Sequence, residues 1–62
     1  MEYRDIVIFG CKDSKELYRR VSSVNNNINV IDAGDKTYVY GDMSQEDYDI
    51  VIHICHEYGD IE

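Results

Sequence analysis

The clearest structural signal in the sequence is the stretch IVIFGCKDSKELYRRVSSV, which covers residues 6–24. Its first part, 6–9, is a short apolar run rich in β-branched residues, and the glycine that follows ends it as a buried strand typically ends. Asp13 and Ser14 then offer side-chain oxygens to free backbone N–H groups, and Glu16 has the spacing of a capping box with Asp13. The stretch therefore predicts a strand followed directly by a helix.

The predicted helix covers residues 14–24. Leu17, Val21 and Val24 recur at helical spacing and form its apolar face, while charged side chains lie on the remaining surface. We expect the asparagine triplet 25–27 to end the helix, because asparagine tolerates the left-handed conformation common at helix C-termini.

A hairpin is predicted next. Segments 28–32 and 36–40 are rich in β-branched and aromatic residues, and Ala33-Gly34-Asp35 separates them. A three-residue turn in which glycine supplies a positive φ joins antiparallel strands in this way. We expect the second strand to be broken by Gly41-Asp42-Met43.

The last segment is compatible with a helix or a strand. Residues 50–55, IVIHIC, have the β-branched density of a strand. Ser44 and Asp47, in contrast, have the spacing of a helix N-cap, with acidic residues in the first turn, where the helix dipole favours them. Gly59 is a typical C-terminal stop. We favour a helix over residues 45–58, because a helix separates the apolar from the charged side chains more cleanly.

The order β-α-β-β-α predicts a single α+β domain over residues 1–62. With the third strand between the first two, the fold is a two-layer sandwich in which a three-stranded antiparallel sheet carries both helices on one face. A chain of this size buries only about 60% of the surface that it exposes when unfolded. We therefore expect it to rely on a well-made core or on a partner subunit.

The charge is strongly asymmetric. Thirteen acidic and six basic residues give a net charge of −7. Residues 1–31 contribute a net +1, whereas residues 32–62 hold nine acids and a single base, Lys36. Surplus acid aids solubility, and it also creates a field that attracts basic partners. The charge alone leaves both uses open.

Catalysis and metal binding have little support in the sequence. Cys11, His53, Cys55 and His56 are the candidate soft ligands, but zinc sites usually contain two close-spaced ligand pairs. Cys55 is expected in the core, as a small apolar residue. A domain this small has little room for a substrate cleft of several hundred cubic ångströms. We predict no enzyme, no cofactor and no metal site, and we assign no role to Cys11.

Membranes and nucleic acids are also not expected partners. No stretch approaches the roughly 18 apolar residues of a membrane span, and no basic and apolar leader opens the sequence, so a cytoplasmic protein is expected. Nucleic-acid affinity comes mainly from lysine and arginine on phosphates. The C-terminal half has only Lys36 for that purpose.

The acidic residues themselves form the principal candidate site. Four of them fall within roughly 80° of the acidic face of the predicted second helix and extend over about 21 Å: Glu46, Asp49, Glu57 and Asp60. The other three surround the predicted hairpin. The seven predicted partner-binding residues are Asp32, Asp35, Asp42, Glu46, Asp49, Glu57 and Asp60. Carboxylates at such spacing can imitate a run of phosphates and occupy a basic DNA-binding groove.

In size, acidity and predicted element order, the chain resembles the small phage-encoded proteins that act as DNA mimics, most closely the inhibitors of the bacterial nucleoid protein HU. The resemblance covers the whole chain, but no signature motif carries it, and no residue role transfers with it. It implies a host-takeover protein in the bacterial cytoplasm that covers the DNA-binding surface of a basic host protein. The chain is also similar to the first half of the histidine phosphocarrier fold. Where that fold has a phosphorylated histidine, this chain has Gly10-Cys11-Lys12-Asp13, so no phosphocarrier role is implied.

An alternative hypothesis is a small homodimeric interaction or adaptor protein that works through an apolar surface. The predicted second helix is apolar over more than half of its circumference, which is more than one sheet face needs to cover. The expected dimer contacts are Tyr38, Tyr40, Ile50, Ile54 and Tyr58. The two hypotheses are compatible, because a dimer would double the acidic surface.

Overall fold

The computed structural model describes residues 2–62 and contains four strands and two helices. The elements are β1 (Glu2–Phe9), α1 (Ser14–Val24), β2 (Asn29–Asp32), β3 (Lys36–Met43), α2 (Gln45–His56) and β4 (Asp60–Ile61). The strands form one antiparallel sheet in the order β2-β3-β1-β4. The α+β class and the two helices are confirmed, and the predicted three-stranded sheet is corrected to one of four strands.

The sheet is built on the long central pair of β1 and β3, whose register runs from Glu2 opposite Met43 to Phe9 opposite Lys36. Strand β3 continues through residues 41–43, which were expected to break it. Gly41 makes this possible, because it has a φ of 151° and a Cβ atom there would lie 2.6 Å from the carbonyl oxygen of Asn27. The glycine therefore lets β3 pass close to the chain that enters β2.

Helix α1 has the predicted bounds, and its predicted N-terminal cap is present. The Oδ1 atom of Asp13 accepts a hydrogen bond from the backbone N–H of Glu16 at 3.1 Å. The helix ends at the asparagine triplet, as predicted. The expectation of a left-handed conformation there is wrong, since Asn25 is extended, with a φ of −156°. Its side chain instead accepts a hydrogen bond from the N–H of Asn27 at 2.9 Å.

The ambiguous last segment is helical. The hydroxyl of Ser44 accepts a hydrogen bond from the N–H of Asp47 at 3.2 Å, which is the predicted cap. The helix ends at His56, two residues earlier than expected. Gly59 then brings the chain so close to β1 that a Cβ atom there would lie 2.6 Å from the carbonyl oxygen of Phe9.

Strand β4 is the element that the sequence did not predict. It pairs with β1 through Ile61 opposite Ile8 and Asp60 opposite Phe9. With it, the order becomes β-α-β-β-α-β with β1 and β3 at the centre of the sheet, which is the split β-α-β, or ferredoxin-like, arrangement.

Both helices pack on the same face of the sheet. The buried core joins residues of α1, α2, β1 and β3 with Ile28, which lies just before β2: Ile6, Ile8, Leu17, Val21, Ile28, Val39, Met43, Val51, Ile54 and Cys55. Side chains alternate along a strand, so the residues between these core positions point away from the helices. We call that uncovered side of the sheet the open face.

One buried group on α1 leads to a stability prediction. The hydroxyl of Ser22 is buried and has no hydrogen-bond partner within residues 2–62. An unpaired buried hydroxyl costs about 1–3 kcal/mol, so Ser22→Ala should raise the free energy of unfolding by about 1 kcal/mol. Urea denaturation measures the change. Ser23→Ala is the matched control, because the exposed hydroxyl of Ser23 donates a hydrogen bond to the carbonyl oxygen of Arg20 at 2.7 Å. An equal gain in both variants would attribute the effect to helix propensity alone.

Candidate functional surface

All seven predicted partner-binding residues are exposed, but they do not form one stripe. Glu46 and Asp49 lie on α2, and Glu57 is its C-terminal cap residue. Asp60 lies on β4, opposite Phe9, and therefore belongs to the open face rather than to the helix. The predicted helical stripe is shorter than expected because the helix ends before Asp60.

Of the three acidic residues around the hairpin, two lie at its turn and the third lies at the far end of β3. Asp32 lies at the turn, where its carboxylate accepts hydrogen bonds from the N–H of Gly34 at 3.0 Å and from the hydroxyl of Ser14 at 3.3 Å. Asp35 lies in the same turn, while Asp42 is at the other end of the strand, opposite Tyr3. Asp42 is seven residue steps along the extended chain from Asp35, which corresponds to about 24 Å.

Glu57 is the one member of the predicted set that forms an ion pair in the described part of the chain. Its two carboxylate oxygens accept hydrogen bonds from the guanidinium of Arg20 at 2.9 and 3.2 Å. These hydrogen bonds lower the pKa of Glu57 and raise the pKa of Arg20. The pair connects α1 to the end of α2 and offsets the charge of Glu57. Sequence reasoning missed it because the two residues are far apart in the chain.

The other acidic members of the set have no such compensation within residues 2–62. Two further ion pairs are present there, Glu2 with Arg4 and Glu16 with Arg19, and neither involves the predicted set. The hydrogen bond from Arg19 lowers the pKa of Glu16. The surplus negative charge of the C-terminal half therefore remains directed at solvent.

The five predicted dimer contacts fall on opposite sides of the molecule. Tyr38 and Tyr40 alternate with the buried Thr37 and Val39, which places the tyrosines on the open face. The other three predicted contacts lie on α2 or just after it. Ile50 is exposed, Ile54 is in the core and Tyr58 is half-buried. One flat contact cannot contain all five.

The open face also contains residues that the sequence analysis did not select. Tyr3 is 65% exposed and Ile31 is 50% exposed. The ring of Tyr3 lies 6.4 Å from that of Tyr40 at an angle of 46°. The signal that points to Tyr3 is the alternation of side chains between the two faces of the sheet along β1. In the sequence this alternation is hard to see, because residues 6–9 are all apolar.

One surface depression, of about 360 Å³ and open to solvent, lies between α1 and α2 beside the Arg20–Glu57 pair and is also lined by Asp49, Ile50 and His53. Within residues 2–62, no group of three or more histidine, cysteine, aspartate or glutamate side chains is arranged to hold a metal ion. None of the helices in this part of the chain is long and apolar enough to cross a membrane.

The two cysteines differ in environment, which leads to a labelling prediction. Cys55 is fully buried in the core, and burial raises the pKa of its thiol to about 12. Cys11 is half-buried in the loop before α1. Because the thiolate is the reactive form, native protein at about pH 8 should react with one equivalent of a thiol reagent, at Cys11. Addition of denaturant should release the second thiol. Rapid loss of both thiols from folded protein would contradict the prediction.

A comparison of the chain with known protein families, with curated proteins and with solved structures finds no match. The split β-α-β arrangement does not supply a function by itself, because the same arrangement supports many unrelated activities. Any functional assignment must therefore come from the charge and the exposed side chains of this surface.

Proposed function

We propose that this protein is an acidic inhibitor that occupies the DNA-binding surface of a basic bacterial protein, such as a nucleoid-associated protein, in the manner of phage-encoded DNA mimics. Such a role needs no catalytic residue and no cofactor. It requires carboxylates that stand in for phosphates and bind the lysine and arginine side chains of the partner. The site of action would be the cytoplasm of the bacterial host cell.

The observation that carries the proposal is the uncompensated negative charge. Six of the seven predicted residues are exposed without an ion-pair partner in the described part of the chain, while Glu57 alone is paired. Most of the basic side chains lie on or beside α1, which leaves α2, the hairpin turn and the open face acidic. The charge is distributed over these surfaces, and its combined field would attract a basic partner.

The direct test is competition for DNA. A fluorescent duplex bound to purified HU is titrated with this protein, and displacement is followed by anisotropy. Because each phosphate-like contact involves ion release, the affinity of this protein for HU should fall about tenfold or more between about 50 and 200 mM salt. Binding without displacement of DNA would contradict mimicry.

Charge neutralisation provides the matched comparison. A variant with Asp42→Asn, Glu46→Gln, Asp49→Asn and Asp60→Asn removes four exposed, unpaired carboxylates. It should lose about tenfold to a hundredfold in affinity for the partner, since each exposed charge contributes a modest increment. Its stability should remain close to that of the wild type. Lys15→Gln, at an exposed position on α1, should not weaken binding. If the fourfold variant displaced DNA as well as the wild type does, mimicry would be contradicted, and the negative charge would serve solubility instead.

A homodimeric interaction protein is the second candidate function. The observation that favours it is the exposure of Tyr3 and Ile31 on the same face of the sheet as Tyr38 and Tyr40. Exposed apolar surface of this kind often marks a protein contact. Sedimentation equilibrium at tens of micromolar tests it directly, and a monomer at that concentration would contradict it.

A further inference from the structure

The open face combines aromatic rings and carboxylates in alternating positions. Across the central strand pair, Tyr3 lies opposite Asp42 and Asp5 lies opposite Tyr40. Directly opposed residues of antiparallel strands have Cβ atoms about 5 Å apart, so each of these carboxylates lies beside a ring. The next pair along the strands is apolar and aromatic, Val7 with Tyr38.

The charge of this face is negative. Asp5, Asp42 and Asp60 belong to it, and none of the three forms an ion pair within residues 2–62. Lys36 is the one base that the strand register places there, and its ammonium group lies over the ring of Phe9 at 5.7 Å. An incoming group therefore meets aromatic rings with unpaired carboxylates beside them.

This combination matches the chemistry of arginine and lysine side chains. A cation over an aromatic face is attracted by the ring, and a guanidinium can pair with a neighbouring carboxylate in the same position. Within the chain, cations already lie over rings at two further places, Arg4 over Tyr48 at 4.9 Å and Arg20 over Tyr58 at 5.6 Å. At the second of these, the same guanidinium also pairs with the carboxylate of Glu57.

We infer that the open face is the docking surface for a basic protein segment, whose arginine or lysine side chains lie on Tyr3 and Tyr40 and pair with Asp5 and Asp42. This inference rests on the proposed function and names the surface that performs it. Charge complementarity favours this occupant over a second copy, because a second copy would bring the two sets of carboxylates together. It also disfavours nucleic acid, whose phosphates would meet the same carboxylates.

Chemical-shift mapping tests the assignment. ¹⁵N-labelled protein is titrated with an octa-arginine peptide at low salt. The amides of Tyr3, Asp5, Tyr40 and Asp42 should shift most, and those of the α2 acids Glu46 and Asp49 should shift little. Largest shifts on α2 would overturn this inference and leave the proposed function standing. Absence of any peptide binding would overturn both.

Matched variants then separate the contribution of the face from that of the overall charge. Asp42→Asn should weaken peptide binding, whereas Asp13→Asn, which removes the same charge from the exposed start of α1 and keeps a capping side chain, should have a much smaller effect. Tyr3→Ala should weaken binding by about threefold to tenfold through the loss of a cation–ring contact. Tyr18→Ala, which removes an exposed tyrosine from α1, should not weaken it. Equal effects within either pair would overturn the inference.

The other occupants are outcomes of the same experiment. Shifts of Tyr3 and Ile31 with protein concentration alone, together with a dimer in sedimentation, would assign the face to a second copy. Shifts of the open-face residues on addition of an eight-nucleotide oligothymidylate, at affinity equal to that of the peptide, would assign it to bases stacked on the tyrosines. Either result would overturn the inference.

Discussion

Gly41→Ala should lower the free energy of unfolding by about 2–5 kcal/mol, measured by urea denaturation. Two costs combine at this position. The φ of 151° is a conformation that residues with a Cβ atom rarely adopt, and it costs about 1–2 kcal/mol. The added methyl group would also lie 2.6 Å from the carbonyl oxygen of Asn27 and 3.1 Å from the Cα of Ile28, so the backbone before β2 must move, at about 1–3 kcal/mol.

Gly34→Ala is the control that separates these two costs. Gly34 has a φ of 92°, but a Cβ atom there would meet nothing within 4 Å. Its replacement should therefore carry only the conformational cost, and the loss of stability should be about half that of Gly41→Ala or less. Equal losses at the two positions would show that the close approach of β3 to Asn27 is not a constraint.

Local signals account for what could be predicted from the sequence. The starts of α1 and α2 follow from side-chain caps within three residues of the helix termini, Asp13 with Glu16 and Ser44 with Asp47. The alternation of side chains along β3, which places Tyr38 and Tyr40 on one face, is equally local. Such features depend only on neighbouring residues, so no knowledge of the tertiary fold is required.

Features set by distant contacts could not be predicted in the same way. Strand β4 has two residues, which is too short for alternation to be visible, and it forms because Gly59 allows close approach to β1. The continuation of β3 depends on the contact between Gly41 and Asn27. Both glycines had been interpreted as stops, which is their usual meaning when only neighbouring residues are considered.

The candidate surface likewise combines features that neighbouring residues predict with features that depend on distant contacts. Exposure of the acidic residues was predicted from their position in the helical and hairpin patterns, and all seven are exposed. Their arrangement was not predicted, because Asp60 lies on the unexpected strand and Glu57 pairs with Arg20 from α1. The charge of a small protein can thus be read from its sequence, whereas the grouping of that charge into surfaces depends on topology.

Leu17→Ala should leave the protein close to unfolded at physiological temperature. Leu17 is fully buried where α1 packs on the core, and truncation of a buried leucine costs about 2–5 kcal/mol. A domain of 62 residues has a total stability of only about 3–9 kcal/mol. The thermal midpoint, followed by circular dichroism, should fall by at least about 10 °C. Tyr18→Ala changes the next residue of the same helix, which is 47% exposed, and should lower the midpoint by only a few degrees, at about 0.5 kcal/mol. If the two variants had the same thermal midpoint, the core would not depend on the packing of α1 against the sheet. The expectation that a chain of this length is marginally stable would then be wrong.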